Sequence, residues 1–191
     1  MVWIRTVPEA EATGLLAQAY RRQAATLGHP SQFSLLGSLD PNLVAARLEL
    51  YRASERCPSM LTQRQRLIIA YVTSTLNNAP HCASQVRRKL TQTGVPDQLI
   101  DALDHNHNHA DLEAAEAAVA RYAHTLTTNP GQMTQQHVQA LREVGLDDLA
   151  ILDANNQCAH LNYANRVANG LGLHHQVPAD FPAFATVPDQ R

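Results

Sequence analysis

The stretch from Thr62 to Gly94 constrains the fold more than any other. Thr62-Gln63-Arg64-Gln65 matches a capping box, in which the threonine hydroxyl and the glutamine amide satisfy orphan N–H groups of a first helical turn. The run Leu67-Ile68-Ile69-Ala70-Tyr71-Val72 that follows is apolar on all sides. Its length alone also suits a buried strand, but the cap and the continuation to Leu76 predict a buried helix. Asn77-Asn78-Ala79-Pro80 breaks it. Pro80 is placed to start the next helix, from His81 to about Thr93, and Gly94 stops it.

Helical spacing recurs on either side of this core motif, 62–94. Leu15, Leu16, Ala19 and Tyr20 share a stripe within Ala10 to Leu27, and Leu43, Ala46, Leu50 and Ala53 share one within Asn42 to Ser54. Pro96 starts a short helix to about Leu103, and Asp104 to Asp111 reads as a polar loop. Amphipathic helices follow over Leu112–Leu126 and Thr134–Val144, then a long one from about Asp148 to Asn169. The tail 177–191 reads as irregular. Aromatic residues make up 5% of the chain, so the core is built mainly from Ala, Leu, Val and Ile, which favours closely packed helices over strands. The expectation is one all-α domain over residues 1–191, with about seven to nine helices.

The net charge of -2 gives no electrostatic reason to expect nucleic acid or an anionic membrane as partner. The longest strongly apolar run, Leu67 to Val72, is too short to span a bilayer, and Met1 to Pro8 offers no leader-like apolar segment. The three cysteines (Cys57, Cys82 and Cys158) are odd in number and widely spaced, which predicts free thiols and a cytoplasmic location.

Cys82 falls in the first turn of its helix, where exposed N–H groups and the helix dipole favour a thiolate, and His81 is its neighbour in sequence. Cys158 lies among the amides Asn155, Asn156 and Gln157, and reads first as a small buried hydrophobe. Cys57, before Pro58, reads as structural. His105, His107 and His109 sit in a polar loop without a carboxylate–His spacing, and His174-His175 follows Gly172; neither group is read as a metal site. No cofactor is expected. Arg166, on an apolar-patterned helix beside Asn162, Asn165 and Asn169, is expected to be partly buried and held by an internal carboxylate or a subunit contact.

Thr62 to Val86, with its capped helix, apolar run, Asn-Asn break and Cys-containing turn, resembles the core of the AhpD-like (carboxymuconolactone decarboxylase-type) family. The stretch Asn162-Tyr163-Ala164-Asn165-Arg166-Val167-Ala168-Asn169-Gly170-Leu171-Gly172 is similar to the final helix of its peroxidase-related subgroup, and Trp3-Ile4-Arg5-Thr6-Val7-Pro8 fits that subgroup too. In the family's working peroxidases the turn reads Cys-x-x-Cys-x-x-x-His, with a glutamate twelve residues before the first cysteine. Carried over by position, the first cysteine falls on Ala79, the second on Cys82, the histidine on Val86 and the glutamate on Leu67.

The resemblance implies thiol-dependent reduction of alkyl hydroperoxides, with Cys82 as the one retained motif cysteine and His81 beside it. Gln85 enters as a pocket residue. With no sulfur at position 79, the sulfenic acid formed at Cys82 must be resolved by a small thiol, a protein reductant or another cysteine, for which Cys158 is the internal candidate. The resemblance also implies a homo-oligomer: a dimer, trimer or hexamer. The alternative is a catalytically degenerate relative serving as an oligomeric scaffold or small-ligand binder. A lactone decarboxylase-like enzyme ranks last, because its polar acid–base positions fall on residues such as Leu67 and Val86.

Overall fold

The structure, a computed structural model, describes residues 2–106 and 111–177. Among the described residues there are nine α-helices and no strand: α1 (Gly14–Leu27), α2 (Gln32–Leu36), α3 (Pro41–Glu55), α4 (Gln63–Leu76), α5 (Pro80–Gln92), α6 (Asp97–Asn106), α7 (Ala114–Thr128), α8 (Gln135–Glu143) and α9 (Asp148–Gly170). None is long and apolar enough to cross a membrane.

The all-round apolar run is a helix, and its place explains its composition. Helix α4 packs against α5, α7 and α9 at once, so its middle turns are enclosed, and Leu67 to Ser74 are buried without interruption. The capping box holds as written in the sequence: Thr62 Oγ1 accepts from Gln65 N–H at 3.1 Å, and Gln65 Oε1 accepts from Thr62 N–H at 2.9 Å. The main core runs from α4 into Leu90, Ile100, Val119, Leu141 and Ala154. A second, smaller cluster gathers Leu36, Ala79, Cys82, Ala168 and Leu173, with Val2, Val167 and Leu171 against it. Helices α1 and α3 pack on each other around Leu16, Tyr20 and Val44.

Some boundaries differ from the pattern. Helix α1 begins at Gly14, not Ala10; Glu9–Glu11 forms a separate 3₁₀ turn. Helix α6 runs on to Asn106, so Asp104 and His105 close a helix instead of opening a loop. Helix α2 has only five residues, too few for a periodic signal; Ser31, which accepts from Ser34 N–H, starts it. The His105 side chain, His107 and His109 lie outside the described residues, as does the tail beyond Val177.

Candidate functional site around Cys82

The break between α4 and α5 is a Schellman turn built without glycine. Asn78 takes φ +48°, a conformation that asparagine tolerates better than most residues. Its N–H donates to Thr75 O at 2.9 Å, and Ala79 N–H donates to Ser74 O at 3.0 Å. The turn is held from outside by α9. Asn169 Nδ2 donates to the Asn77 carbonyl at 2.9 Å, Asn77 Nδ2 donates to Asn162 Oδ1 at 3.0 Å, and Asn165 Nδ2 donates to the Thr73 carbonyl at 3.4 Å. Asn162, Asn165 and Asn169 lie at i, i+3 and i+7, hence on one face of α9. They are the positioning residues that the sequence reading passed over, and that spacing was the available signal.

Cys82 thereby stands in the first turn of α5, whose N-terminal N–H groups receive no side-chain cap. The helix dipole favours a thiolate there, but the surroundings oppose it. Cys82 is 9% exposed and belongs to the apolar cluster with Leu36, Ala168 and Leu173. Burial pushes its thiol up to about 11, against the low pKa expected from its position.

His81 is 2% exposed, and both its ring nitrogens are committed. Nδ1 lies 3.0 Å from the His175 carbonyl and Nε2 lies 3.0 Å from Gln85 Nε2. A carbonyl can only accept and an amide nitrogen can only donate, so these partners assign a neutral ring protonated at Nδ1. Burial lowers the histidine's pKa, and the His175 hydrogen bond opposes this in part. The structure thus brings His81 and Gln85 together, and neither ring nitrogen is left to act as a base toward Cys82.

Residues 171–177 pass over this end of α5. Gly172, at φ +84°, turns the chain back after α9, and Trp3 N–H donates to the Leu171 carbonyl at 3.0 Å. Trp3 packs against His174, with ring centroids 5.5 Å apart. Val177 N–H donates to Ser84 Oγ at 3.0 Å, and the Ser84 hydroxyl donates to the His81 carbonyl at 2.9 Å. A Cβ added to Gly172 would stand 2.7 Å from three indole atoms of Trp3. Gly172→Ala is therefore expected to lower stability by about 1–2 kcal/mol, read as a shift in a denaturant melt, because the left-handed backbone itself opposes a side chain.

The other cysteines stand apart. Cys158 is fully buried in the main core, where Thr73 Oγ1, Thr127 Oγ1 and Asn162 Nδ2 each lie 3.4 Å from its sulfur. Burial raises its pKa, with these hydrogen bonds opposing. Cys82 and Cys158 belong to different clusters, and all three cysteines are free. Cys57 is half-buried, and its carbonyl accepts from Arg66. Within the single chain Arg166 corrects the expectation of an internal carboxylate: none pairs with it among the described residues. It is exposed and bonds within its own helix, to the carbonyl and side-chain oxygen of Asn162. Among the described residues, no group of three His, Cys, Asp or Glu is arranged to hold a metal.

An open cleft of about 1180 Å³ follows another face of α5, lined by Ala79, Ala83, Ser84, Arg87 and Gln92 together with Thr75 of α4. Cys82, His81 and Gln85 do not line it.

No protein-family model matches the chain, and no curated protein matches it in sequence. Its backbone does match solved structures. An alkylhydroperoxidase AhpD core, an uncharacterised peroxidase-related protein from Ralstonia eutropha JMP134, is similar with a TM-score of 0.83 at 20% identity, over 94% of each chain. The chain has the AhpD-like fold. A second structure, an uncharacterised peroxidase-related protein from Silicibacter sp. TM1040, gives a TM-score of 0.78 at 22% identity, covering 92% of this chain and 91% of its own. The debrominase Bmp8, as a cysteine-to-alanine variant in complex with 2,3,4-tribromopyrrole, gives 0.75 at 20% identity, covering 93% and 92%. Structures similar to this chain thus include a debrominase beside peroxidase-related proteins, so the shared fold does not fix a chemistry.

Proposed function

We propose that the chain is a peroxidase-related member of the AhpD-like family, a single domain that reduces alkyl hydroperoxides with Cys82 as the attacking thiol. The observation that carries this reading is the place of Cys82, in the uncapped first turn of α5 just past the Schellman break. The Cys82 thiolate attacks one peroxide oxygen and the O–O bond breaks. The alcohol leaves with a proton, and Cys82 becomes a sulfenic acid. An external thiol condenses with it, releasing water and leaving a mixed disulfide. A second thiol then frees Cys82 and departs as the disulfide of the reductant. The apolar wall of Leu36, Ala168 and Leu173 favours an alkyl-substituted peroxide over a small hydrated one. The sulfur cage of Cys158, in the other cluster, favours an external thiol over internal resolution.

The same reading includes a reducing, cytoplasmic setting and a homo-oligomer: a dimer, trimer or hexamer. Apolar side chains on α3 and α9 support the latter, with Leu50 and Leu152 each 53% exposed.

A second reading is favoured by the burial of the Cys82 thiol and by a cleft that Cys82 does not line. In it the chain is catalytically silent and binds a small ligand in that cleft. Peroxide consumption with several thiol reductants, on wild type and Cys82→Ser, separates the two. The first reading expects turnover in wild type and its loss, by about 10³-fold or to background, in the serine variant. Equal background rates in both favour the silent protein.

A further inference from the structure

We infer that residues 171–177 are a strap over Cys82, that His81 is its latch, and that Cys82 meets its reactant only when the strap lifts. The inference rests on Cys82 as the reacting thiol. It makes His81 a positioning residue in place of an acid–base one.

The strap is anchored where it matters for Cys82. Leu171 and Leu173 enter the cluster that holds Cys82, joined there by Val2 from the other end of the chain. Leu173 is fully buried, whereas Trp3, outside it, is 69% exposed. One side of the strap therefore seals the cluster while its outer clasp faces water. Beyond the turn, where Leu171 and Leu173 N–H donate to Ala168 O and Gly172 N–H to Asn169 O, few bonds hold it among the described residues: His81 to the His175 carbonyl, Val177 N–H to Ser84 Oγ, and Trp3 N–H to the Leu171 carbonyl. A short segment held by few hydrogen bonds opens at far lower free energy than helices packed like α4.

The chemistry of His81 agrees. A catalytic base needs a nitrogen free to receive a proton, and this ring has spent Nδ1–H on the strap and Nε2 on Gln85. Gln85 fixes the tautomer that donates to the strap. The His175 ring meets His81 edge-on, with centroids 5.3 Å apart, so the latch packs as well as bonds. His81 and Ser84 lie three residues apart on α5, and both hold the strap. Two holds on one helical face are what a hinged cover needs.

The test is the rate of alkylation of Cys82 by iodoacetamide in the native protein, followed peptide by peptide in mass spectra at one fixed pH. Cys158 is the control. His81→Phe and Ser84→Ala each remove one hold, and each is expected to speed Cys82 labelling about five- to tenfold, with Cys158 unchanged. His81→Asn keeps an N–H able to reach the His175 carbonyl and is expected to stay within about twofold of wild type. Unchanged Cys82 rates in the phenylalanine and alanine variants overturn the strap, as does Cys158 accelerating in step with Cys82. An asparagine variant as fast as phenylalanine overturns the latch. Should His81→Phe not fold, Ser84→Ala decides alone. The readout involves no peroxide, so a chain that fails to turn over peroxide yet labels in this pattern loses the proposed activity and keeps the strap.

Discussion

Asp153→Ala is expected to lower the melting temperature by about 10 °C. The Asp153 side chain is fully buried, and that of its partner Arg66 is 18% exposed. Oδ2 of Asp153 accepts from Arg66 Nη2 at 2.6 Å, from Arg66 Nε at 2.9 Å and from the Ser59 hydroxyl at 2.5 Å. Arg66 also donates to the Cys57 carbonyl at 2.9 Å, and Gln157 joins Asp153 to the Ser54 carbonyl. This one carboxylate therefore ties the α3–α4 connection to α4 and α9. Removing it leaves a guanidinium largely out of water with no anion beside it, which costs about 3–5 kcal/mol. For a chain of 191 residues each kcal/mol moves the midpoint by about 2–4 °C. Differential scanning calorimetry reads the shift. The double variant Asp153→Leu with Arg66→Met is expected to recover most of it, because replacing both charges by apolar groups removes the stranded one. A midpoint within about 2 °C of wild type for Asp153→Ala contradicts the burial on which the argument stands.

That pair also shows where reading from sequence stops. Arg66 and Asp153 are 87 positions apart, and nothing local to either marks them as partners. What was legible depended on neighbours along the chain. The capping box at Thr62, the all-round apolar α4 and the break that puts Cys82 in a first turn are local signals, and each is in the structure. The state of the thiol was not legible. The dipole argument uses only the helix that carries Cys82, whereas Val2, Leu36 and Leu173, which dehydrate its surroundings, come from both ends of the chain. The surroundings of Arg166 within the chain were not legible for a related reason. The apolar pattern of its helix implied partial burial, but the three asparagines beside it serve the α4–α5 turn from one face of α9, while Arg166 is exposed in the single chain. The candidate residues His81 and Gln85 were found by proximity to Cys82. Their bonding to each other and to His175 became visible only once the chain had returned over α5.

The dehydrated thiol leads to the second large effect, on rate rather than stability. Alkylation of native Cys82 is expected to rise about tenfold for each pH unit from 7 to 10 and to level off only near 11. At pH 7 a thiol raised from 9 to about 11 is about 10⁻⁴ ionised, against about 1% without the shift, so ionisation alone slows it by about 100-fold. The sign for folding follows from the same shift. The unfolded thiol ionises first, so the protonated Cys82 stabilises the folded chain below about pH 9, and this is lost as pH rises toward 11. Rates measured by iodoacetamide trapping at each pH, with far-ultraviolet circular dichroism confirming the fold, test both directions. A rate that levels off below pH 8 would mean that the helix start prevails over burial and that Cys82 is a thiolate at rest. A rate still climbing at pH 10 leaves peroxide reduction near neutrality dependent on hydrating the thiol, and the hydrogen bonds of residues 171–177 to His81 and Ser84 are where that hydration would begin.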